Sequence, residues 1–261
     1  DSGWQCPSAS TACTRYRKAG ENFRLRVTAK AFASGVTDTC SLPTTPNYRQ
    51  LGTQLSATVQ APVPGSDGSL GIPTIDIVAG GTATLTAQTQ SEAGVFTFTA
   101  TPAAAAHPSY SYFGQTVPAG TSANFGRFYP AGFIVGSGAV LANRGDLSCA
   151  PSSGFSYLGE PVNSSFNLYA VNTAGVTTSN YRGAFARLSL VPVAASAWGA
   201  ASTGIVFGAK DNTSTPTLLN PRVTVGCAGG VCGSWGSTAG AYGTAALSAQ
   251  LRVGRASAMA E

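Results

Sequence analysis

The sequence predicts an all-β protein: two tandem antiparallel β-sandwich domains, Ig-like, stapled by disulfides. Three observations predict it. Apolar and polar residues alternate with period two in several short segments. Charged residues make up only 10% of the chain, against roughly 25% in ordinary soluble domains. Thr, Ser, Gly and Ala take their place, which suits wet β faces better than helix surfaces. Six cysteines, an even number, sit in this low-charge background, a pattern that belongs to an oxidising compartment.

The strands follow in order. From Phe23 to Lys30, Phe23, Leu25, Val27 and Ala29 face one way and Arg24, Arg26, Thr28 and Lys30 the other. Ala83, Leu85 and Ala87 alternate with Thr82, Thr84 and Thr86, and Val95 to Thr99 reads as a further strand. Leu188 and Leu190 alternate with Arg187 and Ser189, and Leu247, Ala249, Leu251 and Val253 with Ser248, Gln250 and Arg252. Successive strand side chains point to opposite faces, so each segment carries one dry and one wet face. The expected core is Phe23, Leu25, Val27, Phe96, Phe98, Phe166, Leu168, Leu188, Leu190, Leu247 and Leu251. Turn formers at Pro64-Gly65, Asp67-Gly68, Gly80-Gly81 and Gly229-Gly230 punctuate the strands. The only helix-like run, Ala103 to Ala106, is bracketed by Pro102 and Pro108.

The 261 residues suffice for two medium β domains. The expected boundary lies in Gly126-Arg127-Phe128-Tyr129-Pro130, giving domains at 1–126 and 127–261. An internal repeat supports two units. Phe23-Arg-Leu-Arg-Val-Thr-Ala is followed by Thr45-Pro46-Asn47-Tyr48-Arg49, and Phe166-Asn-Leu-Tyr-Ala-Val-Asn by Thr178-Ser179-Asn180-Tyr181-Arg182. Duplication of one sandwich unit accounts for this, as do two similar hairpins arising independently.

Cys6 with Cys13 and Cys227 with Cys232 are close enough to close local loops, which leaves Cys40 with Cys149 as a long-range staple. The rival zinc reading lacks the tight C-x-x-C spacing of structural sites.

Little in the chain points to catalysis. The one histidine, His107, stands in a Pro/Ala-rich loop with no G-x-S-x-G elbow elsewhere. The acids Asp1, Glu21, Asp38, Asp67, Asp76, Glu92, Asp146, Glu160, Asp211 and Glu261 form no D-x-D calcium loop, and nothing selects a glycosidase pair among them. Glu92 reads as a turn residue ahead of a strand. Arg144-Gly145-Asp146 reads as a Gly-centred turn. Trp4, Trp198 and Trp235 suit either sugar stacking or core anchoring. The net charge of +5 is spread thinly apart from Arg15, Arg17, Lys18, Arg24 and Arg26, with no basic-aromatic stripe for nucleic acid. No apolar run reaches the ~18 residues of a membrane span. No cofactor is expected.

Four motifs resemble those of MshQ-like proteins. They are Asn124-Phe-Gly-Arg-Phe-Tyr-Pro-Ala-Gly-Phe-Ile-Val135, Phe155-Ser-Tyr-Leu-Gly-Glu-Pro161, Ala170 to Gly183, and Ser91-Glu92-Ala93-Gly94-Val95-Phe96. The resemblance implies an exported part of a type IV pilus system, structural or adhesive, with no catalytic residues to carry over. Its partners would be other pilus or surface proteins, further copies of the chain, a glycan or a host receptor. The chain begins at Asp1, as a mature product or processed fragment would. The family's "GR-L-x-L" strand continues into further sequence, whereas here residues 256–261 close the chain. A terminal strand supplied by a neighbouring copy would then build head-to-tail filaments, and residues 1–17 are expected to lie outside the first sandwich. The alternative function is a carbohydrate-binding or carbohydrate-active domain.

Overall fold

The computed structural model describes residues 3–36, 38–103, 117–142, 161–190, 221–227 and 231–255. Among these the regular structure is β, with 3-10 turns at Thr39–Ser41 and Gly183–Phe185. The chain forms two compact units. One comprises Asp1–Phe133, Ala170–Ala186 and Ser237–Gly243; the other comprises Ile134–Tyr169, Arg187–Gly236 and Thr244–Glu261. The expected cut between residues 126 and 127 falls inside a strand, and the units interleave along the chain instead of following one another.

The first unit is a sandwich. In β1 (Phe23–Thr28), Phe23 and Leu25 are buried while Arg24 and Arg26 are exposed. β1 pairs antiparallel with β4 (Thr82–Gln88), setting Leu25 opposite Leu85 and Val27 opposite Ala83. The second sheet runs β3 (Thr74–Ile77), β2 (Gln50–Ala61), β5 (Gly94–Thr101) and β6 (Gly120–Thr121), with β7 (Phe125–Phe128) also on β5. Phe23, Leu25, Leu55, Ile75, Phe96, Phe98, Phe125 and Phe128 from both sheets meet in one core. Each such side chain contributes roughly 1.5–3 kcal/mol by leaving water. The rings add offset and edge contacts, such as Phe98 to Phe125 at 5.1 Å and Trp4 stacked on Phe125 at 4.2 Å.

The N-terminal stretch belongs to this sandwich, contrary to the expectation from its lack of alternation. It is held by its backbone, which period-two patterning cannot report. Cys6 N–H donates to Asn124 O at 3.0 Å, Gly126 N–H to Trp4 O at 2.9 Å and Tyr16 N–H to Arg127 O at 2.9 Å. Further along, Tyr129 N–H donates to Arg17 O and Ala19 N–H to Tyr129 O.

The other unit is built on β10 (Pro161–Val171) and β13 (Thr244–Arg255), paired antiparallel from Pro161 opposite Arg252 to Tyr169 opposite Thr244. β11 (Pro221–Gly226) and β12 (Gly233–Trp235) flank β13, while β8 (Gly132–Val135) and β9 (Val140–Ala142) flank β10. Phe166 and Leu247 face each other across the pair, half-buried, with Ser164 and Ala249 buried beside them. Leu188 departs from expectation: the chain from Arg187 to Leu190 forms no strand and Leu188 is exposed. The 3-10 turn at Gly183–Phe185 directs the chain away from sheet pairing, and the alternation there is too short to override it. Leu251 lies among the residues whose side chains are not described.

The internal repeat is real in structure but shifted by two residues from its apparent alignment. Ala29 N–H donates to Gly81 O, and Ala170 N–H donates to Gly243 O, each at 2.8 Å. Thr45 N–H and Oγ1 both donate to Ala29 O, as Thr178 N–H and Oγ1 do to Ala170 O. Tyr48 N–H returns to Thr45 O and Tyr181 N–H to Thr178 O, each at 3.1 Å, and both tyrosines are buried. Ala29 therefore matches Ala170, which pairs Leu25 with Phe166 and Val27 with Leu168. The registers agree: Leu25 opposite Leu85 in β1–β4 corresponds to Phe166 opposite Leu247 in β10–β13. A third repeated string runs through the partner strands, Gly81-Thr-Ala-Thr-Leu-Thr-Ala-Gln88 against Gly243-Thr-Ala-Ala-Leu-Ser-Ala-Gln250. Its leading glycine is obligatory for two reasons. Gly81 and Gly243 have φ of +63° and +73°, and a Cβ there would collide with the Thr45 or Thr178 carbonyl oxygen.

Candidate functional site

Past Leu85 a register shift in the β1–β4 pairing, from Leu25 opposite Leu85 to Phe23 opposite Gln88, moves the inward face of the chain by one residue and onto polar side chains. Gln88, Gln90 and Glu92 are all buried. Buried polar groups persist only when their hydrogen bonds are made, and each of these three finds backbone partners. Gln88 Oε1 accepts from Ile72 N–H at 2.9 Å and its Nε2 donates to Ile72 O at 2.7 Å, so the side chain imitates a neighbouring strand. Gln90 Nε2 donates to Asp67 O at 3.1 Å and its Oε1 accepts from Glu92 N–H at 3.3 Å. Together they pin the Gly/Pro-rich loop that joins β2 to β3.

Glu92 completes the series. Its Oε1 accepts from Ser179 N–H at 3.0 Å and from Ser179 Oγ at 2.8 Å, and its Oε2 accepts from Asn180 N–H at 3.1 Å. The carboxylate is 7% exposed, so its charge rests on these three donors instead of on water. Successive N–H groups of a turn make a concave anion seat, and the Thr178–Tyr181 turn presents one. Asn180 adds a second connection, donating to Ser66 O and accepting from Ser66 N–H, each at 2.8 Å. Asn172 Nδ2 donates to Ser91 O at 3.1 Å, while its Oδ1 closes its own turn at Ala174 N–H and Val176 N–H. Residues 66–92 and 172–181 are thus locked together by side-chain-to-backbone bonds. The arrangement is an anion latch: every polar atom named has its partner in the protein, and the bonds hold the two segments together.

The sequence-predicted residues distribute as follows. Cys6–Cys13 and Cys227–Cys232 form the two local disulfides expected from spacing. The expected Cys40–Cys149 staple falls partly on residues that are not described: Cys40 is exposed on the 3-10 turn, its N–H bonded to Asp38 Oδ1 at 3.0 Å. Its expected partner Cys149 lies outside the described residues. So do His107, Trp198 and the tripeptide Arg144-Gly145-Asp146. Trp4 is a core anchor, and Trp235 donates from Nε1 to Leu188 O at 3.0 Å. The described acids are engaged locally: Asp67 with Val59 N–H, Asp76 with Gly52 N–H, and Glu21 with Arg17 and Lys18 N–H. Among the described residues no three His, Cys, Asp or Glu side chains gather as a metal site. Glu92, expected as a turn residue, proves to be the centre of the latch. Alternation could not have found it: the phase of Ala83, Leu85 and Ala87 sets Gln88, Gln90 and Glu92 on the wet face, and the register shift in the β1–β4 pairing turns them inward.

Two family descriptions match this chain: the DUF6701 second domain over residues 1–93 and the DUF6701 third domain over residues 92–249. The chain belongs to the DUF6701 family. The two DUF6701 matches meet at residues 92–93, on the latch glutamate. The second-domain match ends at residue 93, just after the Gly81–Gln88 segment, and the third-domain match ends at residue 249, within the Gly243–Gln250 segment, so each match closes near one copy of the repeated string. The folding units do not follow this division. β5 and β7 lie in the third-domain match, yet β5 pairs with β2 of the second from Gln54 opposite Thr101 to Ala61 opposite Val95. No curated protein and no solved structure matches the chain.

Proposed function

We propose that this chain is an extracellular structural and adhesive module of a bacterial surface or pilus-associated assembly, in which tandem DUF6701 domains act as a spacer joined head to tail with further copies or with other surface proteins. The observation that carries the reading is the junction of the two family domains. A shared sheet, β2 with β5, and a buried latch, Glu92 on the 178–181 turn, join consecutive domains where a flexible linker would serve an enzyme equally well. The two local disulfides support a compartment outside the cytoplasm, and the likeness of four motifs to MshQ-like proteins supports the pilus association.

The test is to label intact cells that make the protein with an antibody against it, and to image the material sheared from them. Surface label together with the protein in sheared fibres is the expected result. Label that appears only after the cells are opened, with nothing in the sheared fraction, overturns the proposal.

A further inference from the structure

The two repeats differ at one edge. In the second repeat the outer edge of β10 is taken by β8 and β9, which pair along it. In the first repeat the equivalent strand, β1, pairs with β4 alone among the described residues. The sequence explains the difference. Arg15-Tyr-Arg-Lys-Ala-Gly20 resembles Arg127-Phe-Tyr-Pro-Ala-Gly132, but the first copy runs almost directly from Gly20 into β1 while the second inserts residues 133–160, which carry β9 and the rest of β8. Backbone direction follows from the pairing. Ala29 N–H points at Gly81, and strand residues alternate, so the N–H and C=O groups of Arg24, Arg26 and Thr28 point to the open edge.

The wet face of this ribbon is basic. Arg24 and Arg26 are exposed on β1, Thr82, Thr84 and Thr86 stand on β4, and no acid occurs in either strand. Two such edges pairing with each other would set arginine against arginine, which is destabilising. The arginines therefore block self-pairing in the way charged edge residues do and favour a strand of opposite charge. We infer that the open edge of β1 is a docking site for an extended acidic segment of a partner protein, which adds as a strand and sets carboxylates against Arg24 and Arg26. The inference is independent of the location proposed above, since it concerns one edge of the folded chain.

The probe is a capped synthetic peptide of alternating Thr and Glu, with a Thr/Lys peptide as control, titrated onto the whole chain. Binding is read by fluorescence anisotropy, and strand addition by amide hydrogen exchange. The acidic peptide binds, the control does not, and the Arg24, Arg26 and Thr28 amides exchange more slowly in the complex. R24E/R26E, with unchanged circular dichroism, weakens binding roughly tenfold, since reversing two cross-strand charge pairs is worth about 1–2 kcal/mol. No binding, equal binding of the control, or binding without protection of those three amides overturns the inference.

Discussion

Replacing Glu92 by Gln keeps the shape of the latch and removes its charge. The carboxylate accepts three hydrogen bonds, two at Oε1 and one at Oε2. A glutamine can keep its oxygen on the two Ser179 donors, but its amide nitrogen then faces Asn180 N–H, donor against donor. A hydrogen bond to a charged group contributes about 1.5–3 kcal/mol, and a buried donor left unmade costs about 1–3 kcal/mol. One bond is lost outright and two become neutral, while the substitution saves part of the desolvation of a buried charge. The net expectation is a loss of about 2–4 kcal/mol. Glu92→Ala orphans all three donors and should cost more. For a chain of this size each kcal/mol lowers Tm by about 2–4 °C.

Urea unfolding followed by tryptophan fluorescence and far-ultraviolet circular dichroism measures the change. The comparison that isolates the latch is Ser179→Ala, which removes only the hydroxyl donor and should cost about 1 kcal/mol. In the double mutant with Glu92→Gln the costs should not add, because Glu92→Gln has already turned the Ser179 hydroxyl bond from a charged into a neutral one. If Glu92→Gln unfolds within about 0.5 kcal/mol of the parent, the usual range of indifferent surface changes, the latch is not a stabilising element and the reasoning fails.

Other expectations follow from the same structure. Under native, non-reducing conditions maleimide should label Cys40, and Cys40→Ser should leave stability unchanged; peptide mapping that finds Cys40 in a disulfide refutes both. Removing the Cys6–Cys13 bond by Cys→Ser at both positions should cost about 2–3 kcal/mol from loop-closure entropy, read as a lower Tm. Gly81→Ala and Gly243→Ala should each cost about 2 kcal/mol or more, because a left-handed φ and a carbonyl collision combine; parallel losses in thermal melts confirm that the sites are equivalent. Burial raises the pKa of Tyr16 and Tyr48 above 10.0. The folded state then holds its phenolic protons more tightly than the unfolded state. This contribution is full below the ordinary tyrosine pKa and is lost as pH rises through the folded values, so Tm should decline above about pH 10. Tyr16→Phe should flatten that decline. Finally, a fragment of residues 1–93 should not fold, because Phe96, Phe98, Phe125 and Phe128 of the core lie beyond it; a dispersed amide spectrum from the fragment refutes this.

The parts of the fold that were legible in the sequence are those governed by burial on one face. Phe23-Arg24-Leu25-Arg26 and the β13 alternation read directly because a slip of one residue would expose every apolar side chain. The 187–190 segment has the same pattern over fewer residues, and there the local 3-10 turn decides. The first twenty residues carry little alternation because they attach through backbone groups, which every sequence possesses, together with the two isolated rings Trp4 and Tyr16. The latch was hidden for a different reason. A buried carboxylate takes its meaning from donors 87 and 88 residues away, and the alternation of Ala83, Leu85 and Ala87 sets Glu92 on the wet face until the register shift ahead of Gln88 reverses it. The repeat was visible but misaligned, because Phe23 and Phe166 invite superposition while the invariant contacts belong to Ala29 and Ala170.

That misalignment bears on how DUF6701 domains are divided. A sequence family cuts a chain where its pattern recurs, and here the recurring string runs through β4 and again through the first part of β13, with the cut near residue 93. Folding cuts a chain where side chains stop sharing a core, and β5 and β7 return to the sheet of β2 before the next repeat begins. The third-domain match therefore lends β5 and β7 to the sandwich started in the second. Such a chain cannot swing freely at its family boundaries, because moving one domain against the next would break the β2–β5 ladder and expose Phe96 and Phe98. Glu92 lies at the family boundary, between the recurring strand β4 and the lent strand β5, and reaches the Thr178–Tyr181 turn of the following repeat. The family boundary at residues 92–93 therefore falls inside one compact unit, between a strand of one match and a strand of the next that share its core.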